Sequence, residues 1–158
     1  MTRKISQFRK ALESSTDSPN SFELCSSWLK TCDMDHSDCT AIWPANQAGE
    51  VWNPTRLLAV TEMPSNENDC IRLIDQVPKS SPLRYAALSH CWGNNVPLVL
   101  LSSRLHEFKQ EILMRNLPKT FRDAVIATRR LGLEFLWIDS LGIVLSRIQL
   151  ATGRTNQA

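Results

Sequence analysis

Apolar positions along this chain fall in short bursts separated by turn-forming residues, and the spacing within each burst predicts an element. Leu57-Leu58-Ala59-Val60 and Ile71-Arg72-Leu73-Ile74 are too short for helices. Between them lies Met63-Pro64-Ser65-Asn66-Glu67-Asn68-Asp69, rich in turn formers, so the pair predicts a hairpin with a long loop. Pro78 to Pro82 is a further break. Tyr85 to Trp92 predicts a mostly buried strand closed by Gly93-Asn94-Asn95. Leu105, Phe108 and Ile112 keep helical spacing and predict a helix from Ser102 to Met114. After Pro118, a helix face is formed by Phe121, Ala124, Val125, Thr128 and Leu131, with Thr120 as its expected cap. Gly132 follows the last apolar position, where a left-handed residue ends a helix, and Glu134 to Asp139 predicts a strand.

Upstream, the pattern is looser. Ile5, Phe8 and Leu12 suggest a short helix from Lys4 to Leu12, followed by a polar linker from Ser14 to Ser21. Asn20 and Glu23 have the spacing of a helix start, and Phe22, Cys25, Leu29 and Cys32 line one face of a helix through Thr31. Asp33 to Asn53 is irregular. The organisation expected is a basic segment and linker over residues 1–20, a helical and irregular lead-in with a hairpin over 21–84, the main domain over 85–145, and a tail over 146–158.

A strand, crossover helices and a second strand form the pattern of a parallel pair, which predicts an α/β fold with a partial parallel sheet. Binding sites in such sheets form beyond the carboxyl ends of the strands. Here those ends are Cys91-Trp92-Gly93 and Asp139-Ser140, expected side by side on one edge.

Composition adds exclusions. An apolar fraction of 42% and a charged fraction of 22% fit a globular protein, and 158 residues fit one domain. A net charge of +2, without a basic stripe carrying interleaved aromatics, argues against nucleic acid as a partner. No apolar run approaches membrane-spanning length, and the basic start has no apolar core of a secretory signal. The five cysteines therefore read as reduced thiols of an intracellular, cytoplasmic protein. Among them, Cys32, His36 and Cys39 with Cys25 two turns earlier could supply four zinc ligands, although the spacing matches no standard finger. The plainer reading is a helix end with small buried thiols and a polar His36. No glycine-rich phosphate loop is present and no cofactor is expected.

At the expected edge, Asp139 either offers a carboxylate to a ligand or proton transfer, or caps the next turn. Ser89, His90 and Cys91 stand in a row, and strand alternation forbids all three from facing one site. Cys91 reads as a buried structural thiol rather than a nucleophile, for want of a partner that would lower its pKa. Asp123, in the first turn after Thr120, reads as a helix-start carboxylate. Trp92 and Trp137 read as core aromatics.

Two blocks resemble the fungal heterokaryon-incompatibility (HET) domain: Tyr85-Ala-Ala-Leu-Ser-His-Cys-Trp-Gly93, and Leu117-Pro-Lys-Thr-Phe-Arg-Asp-Ala124 with Leu136-Trp-Ile-Asp-Ser-Leu141. A weaker likeness to the family's lead-in reaches back to Trp28. The positions matching the family motifs are Tyr85, Ser89, Trp92, Gly93, Asp123, Trp137, Asp139 and Ser140. The resemblance implies non-self recognition after hyphal fusion and programmed cell death. Through a distant likeness to TIR domains, it also implies an α/β sheet and raises cleavage of a nicotinamide nucleotide. The family continues with a cysteine and a glutamine where this chain has Gly142 and Leu145, and the wording departs after Ile143. The expectation is a truncated HET-domain protein without autonomous enzymatic activity, its protein partners unidentified. The alternatives are a TIR-like NAD hydrolase and a small zinc-stapled interaction module.

Overall fold

The computed structural model describes residues 15–37, 52–61, 69–77, 83–91 and 98–145. The chain divides into two compact units, Met1–Pro44 and Ala45–Ala158. The expected helix at Lys4 to Leu12 and the loop at residues 62–68 lie outside the described residues.

In the first unit, helix α1 spans Pro19–Asp35. Ser18, not Asn20, is its cap: the Ser18 hydroxyl accepts from the Ser21 amide at 3.1 Å, and Pro19 takes a first-turn position where a missing N–H costs nothing. The helix runs past the expected Thr31. Trp28, Leu29 and Met34 are exposed along it, so its sequence does not dictate a buried stripe.

The second unit is built on a five-stranded sheet in the order β3-β6-β1-β2-β5, with β1 Leu57–Ala59, β2 Cys70–Ile74, β3 Tyr85–Leu88, β5 Ile112–Leu113 and β6 Phe135–Ile138. The expected hairpin forms: β1 and β2 pair antiparallel, Leu58 opposite Leu73. So does the parallel pair, β3 beside β6 with Leu88 opposite Ile138. Because β1 also pairs antiparallel with β6, the sheet is mixed, and the hairpin and the parallel pair share one sheet. A second, two-stranded parallel sheet joins β4 Leu100–Leu101 to β7 Val144–Leu145.

The crossover differs from the long helix expected over Ser102 to Met114. A 3-10 turn at Ser102–Arg104 leads into helix α2, Leu105–Gln110, which ends where Glu111 turns extended at φ −157°. Ile112 then pairs with Ile71 in β5, and a second 3-10 turn covers Met114–Asn116. Leu105, Phe108 and Ile112 keep helical spacing, but Ile112 reaches the core as a strand residue, 4% exposed, because the free edge of β2 takes its backbone bonds.

Helix α3, Lys119–Arg130, starts two residues earlier than expected, with Pro118 in the cap position. The Pro118 carbonyl accepts from the amides of Phe121 and Arg122, so Thr120 lies inside the first turn and makes no cap. Phe121, Val125 and Thr128 are its buried face, as the spacing predicts. At its end, Gly132 takes φ 72°, its amide donates to the Arg129 carbonyl and the Leu133 amide to that of Thr128, the two bonds of a Schellman close.

The core lies between one sheet face and these helices. Leu58, Leu136 and Ile138 from the sheet pack in one cluster with Phe121 and Val125 of α3, Phe108 of α2 and Leu141. β3 is less enclosed than the mostly buried strand expected: it stands at the sheet margin, all but Ala87 half-buried. Among the described residues no helix is long and apolar enough to cross a membrane.

Candidate functional site at the carboxyl end of the parallel pair

The register of β3 on β6 carries both chains out of the sheet together, Leu88 beside Ile138, so Ser89-His90-Cys91 and Asp139-Ser140 emerge at one edge. Alternation sorts the first triplet. Ser89 and Cys91 are exposed, while the His90 side chain turns inward and is 12% exposed. Cys91 is thus a surface thiol and not the buried one expected, because β3 stops at Leu88 and the chain leaves the sheet there.

The His90 ring meets Phe121 edge to face, centroids 5.1 Å apart, so the first turn of α3 forms the floor of the site. Its Nδ1 lies 3.7 Å from Asp139 Oδ1, close enough for attraction but beyond a hydrogen bond. Asp139 opens the short helix α4, Asp139–Gly142, and its Oδ1 accepts from the Ser140 amide at 2.7 Å. The carboxylate therefore engages a backbone amide of the short helix and faces the imidazole. Ser140 is 1% exposed.

On the other flank of β6, Arg56 precedes β1 and reaches across the strand end. Its Nη1 donates to the Gly142 carbonyl at 3.3 Å. A β-carbon built at Gly142 would stand 2.7 Å from Trp137 Nε1. The indole occupies the space a side chain would need, so a cysteine at Gly142, as the family wording would have it, demands that Trp137 move.

Polar satisfaction is the property that singles this edge out. Among the described residues, the buried side-chain nitrogens and oxygens without a hydrogen-bond partner are Arg56 Nε, both ring nitrogens of His90, and Ser140 Oγ. All belong to the carboxyl end of β6. An unmet buried polar group costs about 1–3 kcal/mol, so leaving several at one spot is unfavourable unless something completes them.

Other expected positions are placed elsewhere. Tyr85 opens β3 opposite Phe135, roughly 10 Å along the strand from the edge. Partial burial pushes its phenol above the usual range. Asp123 lies on the exposed side of α3 and accepts from Lys119 one turn back, so its partner is a side chain and not the helix-start amides. Trp92 and Gly93 lie outside the described residues, as does Cys39. Cys25, Cys32 and His36 do not come together: no group of three potential metal ligands is gathered among the described residues.

Arg56 carries no local signal. It is a lone arginine before an apolar run, and its place at the site comes from the pairing of β1 with β6, 86 residues from Gly142 in sequence. His90 was visible as an inward or outward choice, settled by where β3 begins.

Residues 85–153 match the family model of the heterokaryon incompatibility protein (HET). Over that stretch the chain is similar to the HET family. The match contains β3, α3 and β6 and continues past Ile143, where the motif wording departs. No curated protein and no solved structure shows significant similarity to the chain.

Proposed function

We propose that this HET-bearing chain acts in fungal heterokaryon incompatibility, taking part in non-self recognition coupled to programmed cell death, and that it has no enzymatic activity of its own. The observation that carries the reading is that the two blocks matched by the family are the ones whose strand ends meet at the polar edge. The test is inducible expression in a filamentous fungus. Expression within one strain is expected to leave viability unchanged, and fusion with a strain lacking the gene to raise the fraction of dead fusion cells. Unchanged survival of the fusion cells would reject the reading.

A second reading, hydrolysis of a nicotinamide nucleotide, is favoured by one arrangement: the one-third-exposed Asp139 carboxylate beside an imidazole at a parallel strand end. Incubation of the purified protein with NAD separates the two. Release of nicotinamide that is lost in Asp139→Asn establishes the second reading, and no release from folded protein leaves the first.

A further inference from the structure

We infer that the carboxyl end of β6 is a binding site for a phosphate group, held by Arg56, His90 and Ser140. The inference uses the edge described above but stands apart from cell death, since binding is read without it. Every buried side-chain polar atom left without a partner among the described residues belongs to these three residues, which come from three separate segments. Arg56 lies ahead of β1, His90 follows β3, and Ser140 follows β6.

The chemistry of the open positions selects an oxyanion. Arg56 Nε is a donor that never deprotonates, and its guanidinium is already oriented by the Nη1 bond to the Gly142 carbonyl. The Ser140 hydroxyl can donate, and an imidazole ring nitrogen supplies a third donor. Three donors with a fixed positive charge suit a tetrahedral oxyanion better than a neutral ligand. Asp139 Oδ1 is engaged by the Ser140 amide and lies 3.7 Å from His90 Nδ1, so its charge is set against the imidazole. Its partial exposure also lets it accept from a hydroxyl carried by the same ligand. A phosphate ester bearing a nearby hydroxyl therefore matches the edge more fully than inorganic phosphate.

The imidazole nitrogens of His90 report occupancy directly. The full chain, labelled with nitrogen-15 at histidine, is titrated with inorganic phosphate and separately with adenosine monophosphate, at ionic strength held constant with chloride. Saturable shifts of the His90 ring nitrogens are expected with both, with the monophosphate ester binding at least threefold more tightly. Arg56→Lys keeps the charge and can still reach the Gly142 carbonyl, yet lacks Nε, and is expected to weaken phosphate at least fivefold. Ser140→Ala is expected to weaken it two- to fivefold. A circular dichroism melt of each variant confirms that the fold is kept. Shifts that do not saturate, that chloride alone reproduces, or that both variants leave unchanged would overturn the assignment and leave bound water as the partner of these atoms. If only the ester binds, the site reads the hydroxyl-bearing ligand and the bare-phosphate form is rejected. Phosphate binding without any death of fusion cells would fail the proposed function alone.

Discussion

The two ends of strand β6 each carry an arginine, and the two arginines are used in opposite ways. At the amino end, Arg129 of α3 spends its donors: Nε on the Val60 carbonyl, Nη1 and Nη2 on the two oxygens of Asp69, and Nη2 also on the Cys70 carbonyl. The helix above it closes with a left-handed glycine, and the Val60 amide donates to the Glu134 carbonyl. At the carboxyl end, Arg56 makes one bond and keeps a buried Nε unmet, beside the equally unmet His90 and Ser140. A closed polar network ties β1, β2 and α3 together, with most of the Arg129 donors engaged. An open one contributes little to stability and retains binding capacity. The contrast sets a closed polar network at one end of β6 against an open one at the other, without appeal to which residues the family motif contains.

Substitutions can break or sharpen the contrast. The largest effect is expected from Phe121→Ala, which removes a 1%-exposed ring that belongs to the core and meets the His90 ring edge to face. A loss of about 3–5 kcal/mol in urea unfolding is expected. His90 should also lose its edge-to-face ring shift in the proton spectrum. Arg129→Ala comes next. Its pair with the half-exposed Asp69 is screened and adds little. Leaving the buried Val60 carbonyl without its partner dominates, for a loss of about 1–3 kcal/mol in the same measurement. Arg56→Ala should cost clearly less than Arg129→Ala, and equal losses would erase the distinction between the two ends. Gly132→Ala forces a side chain into φ 72° although nothing stands within 4 Å of the new β-carbon. About 1–2 kcal/mol of pure backbone strain is expected. Asp123→Asn removes an exposed pair with Lys119 and should change stability by less than about 1 kcal/mol.

Much of this arrangement was legible before the structure. The apolar runs at Leu57 and Ile71 pair as a hairpin, the strand–helix–strand order produces the parallel pair, and Gly132 ends α3 as its position demands. The reading failed where one spacing serves two geometries. Leu105, Phe108 and Ile112 look helical, yet Ile112 is claimed by β2, whose unpaired edge outweighs local periodicity. It also failed at helix starts, where Ser18 and Pro118 hold positions that Asn20 and Thr120 fit equally well by composition. The edge itself was foreseen as Asp139 and Ser140 beside the end of β3. Arg56 was not, because its arrival depends on strand pairing between residues far apart in sequence. Asp123 shows the converse: it matches the family motif and makes a bond that belongs to the helix surface.

Ser140→Ala tests the open end most directly. Equilibrium urea unfolding of the wild type and this variant is compared in phosphate-free buffer and again in saturating phosphate. A hydroxyl that is buried and unmet contributes nothing in the free protein, so the variant should match or exceed wild-type stability without phosphate. In phosphate the wild type should gain more than the variant, as ligand linkage requires. A loss of more than about 1 kcal/mol in both buffers alike would show that Ser140 is already satisfied within the fold, and that the carboxyl end of β6 is as closed as the amino end.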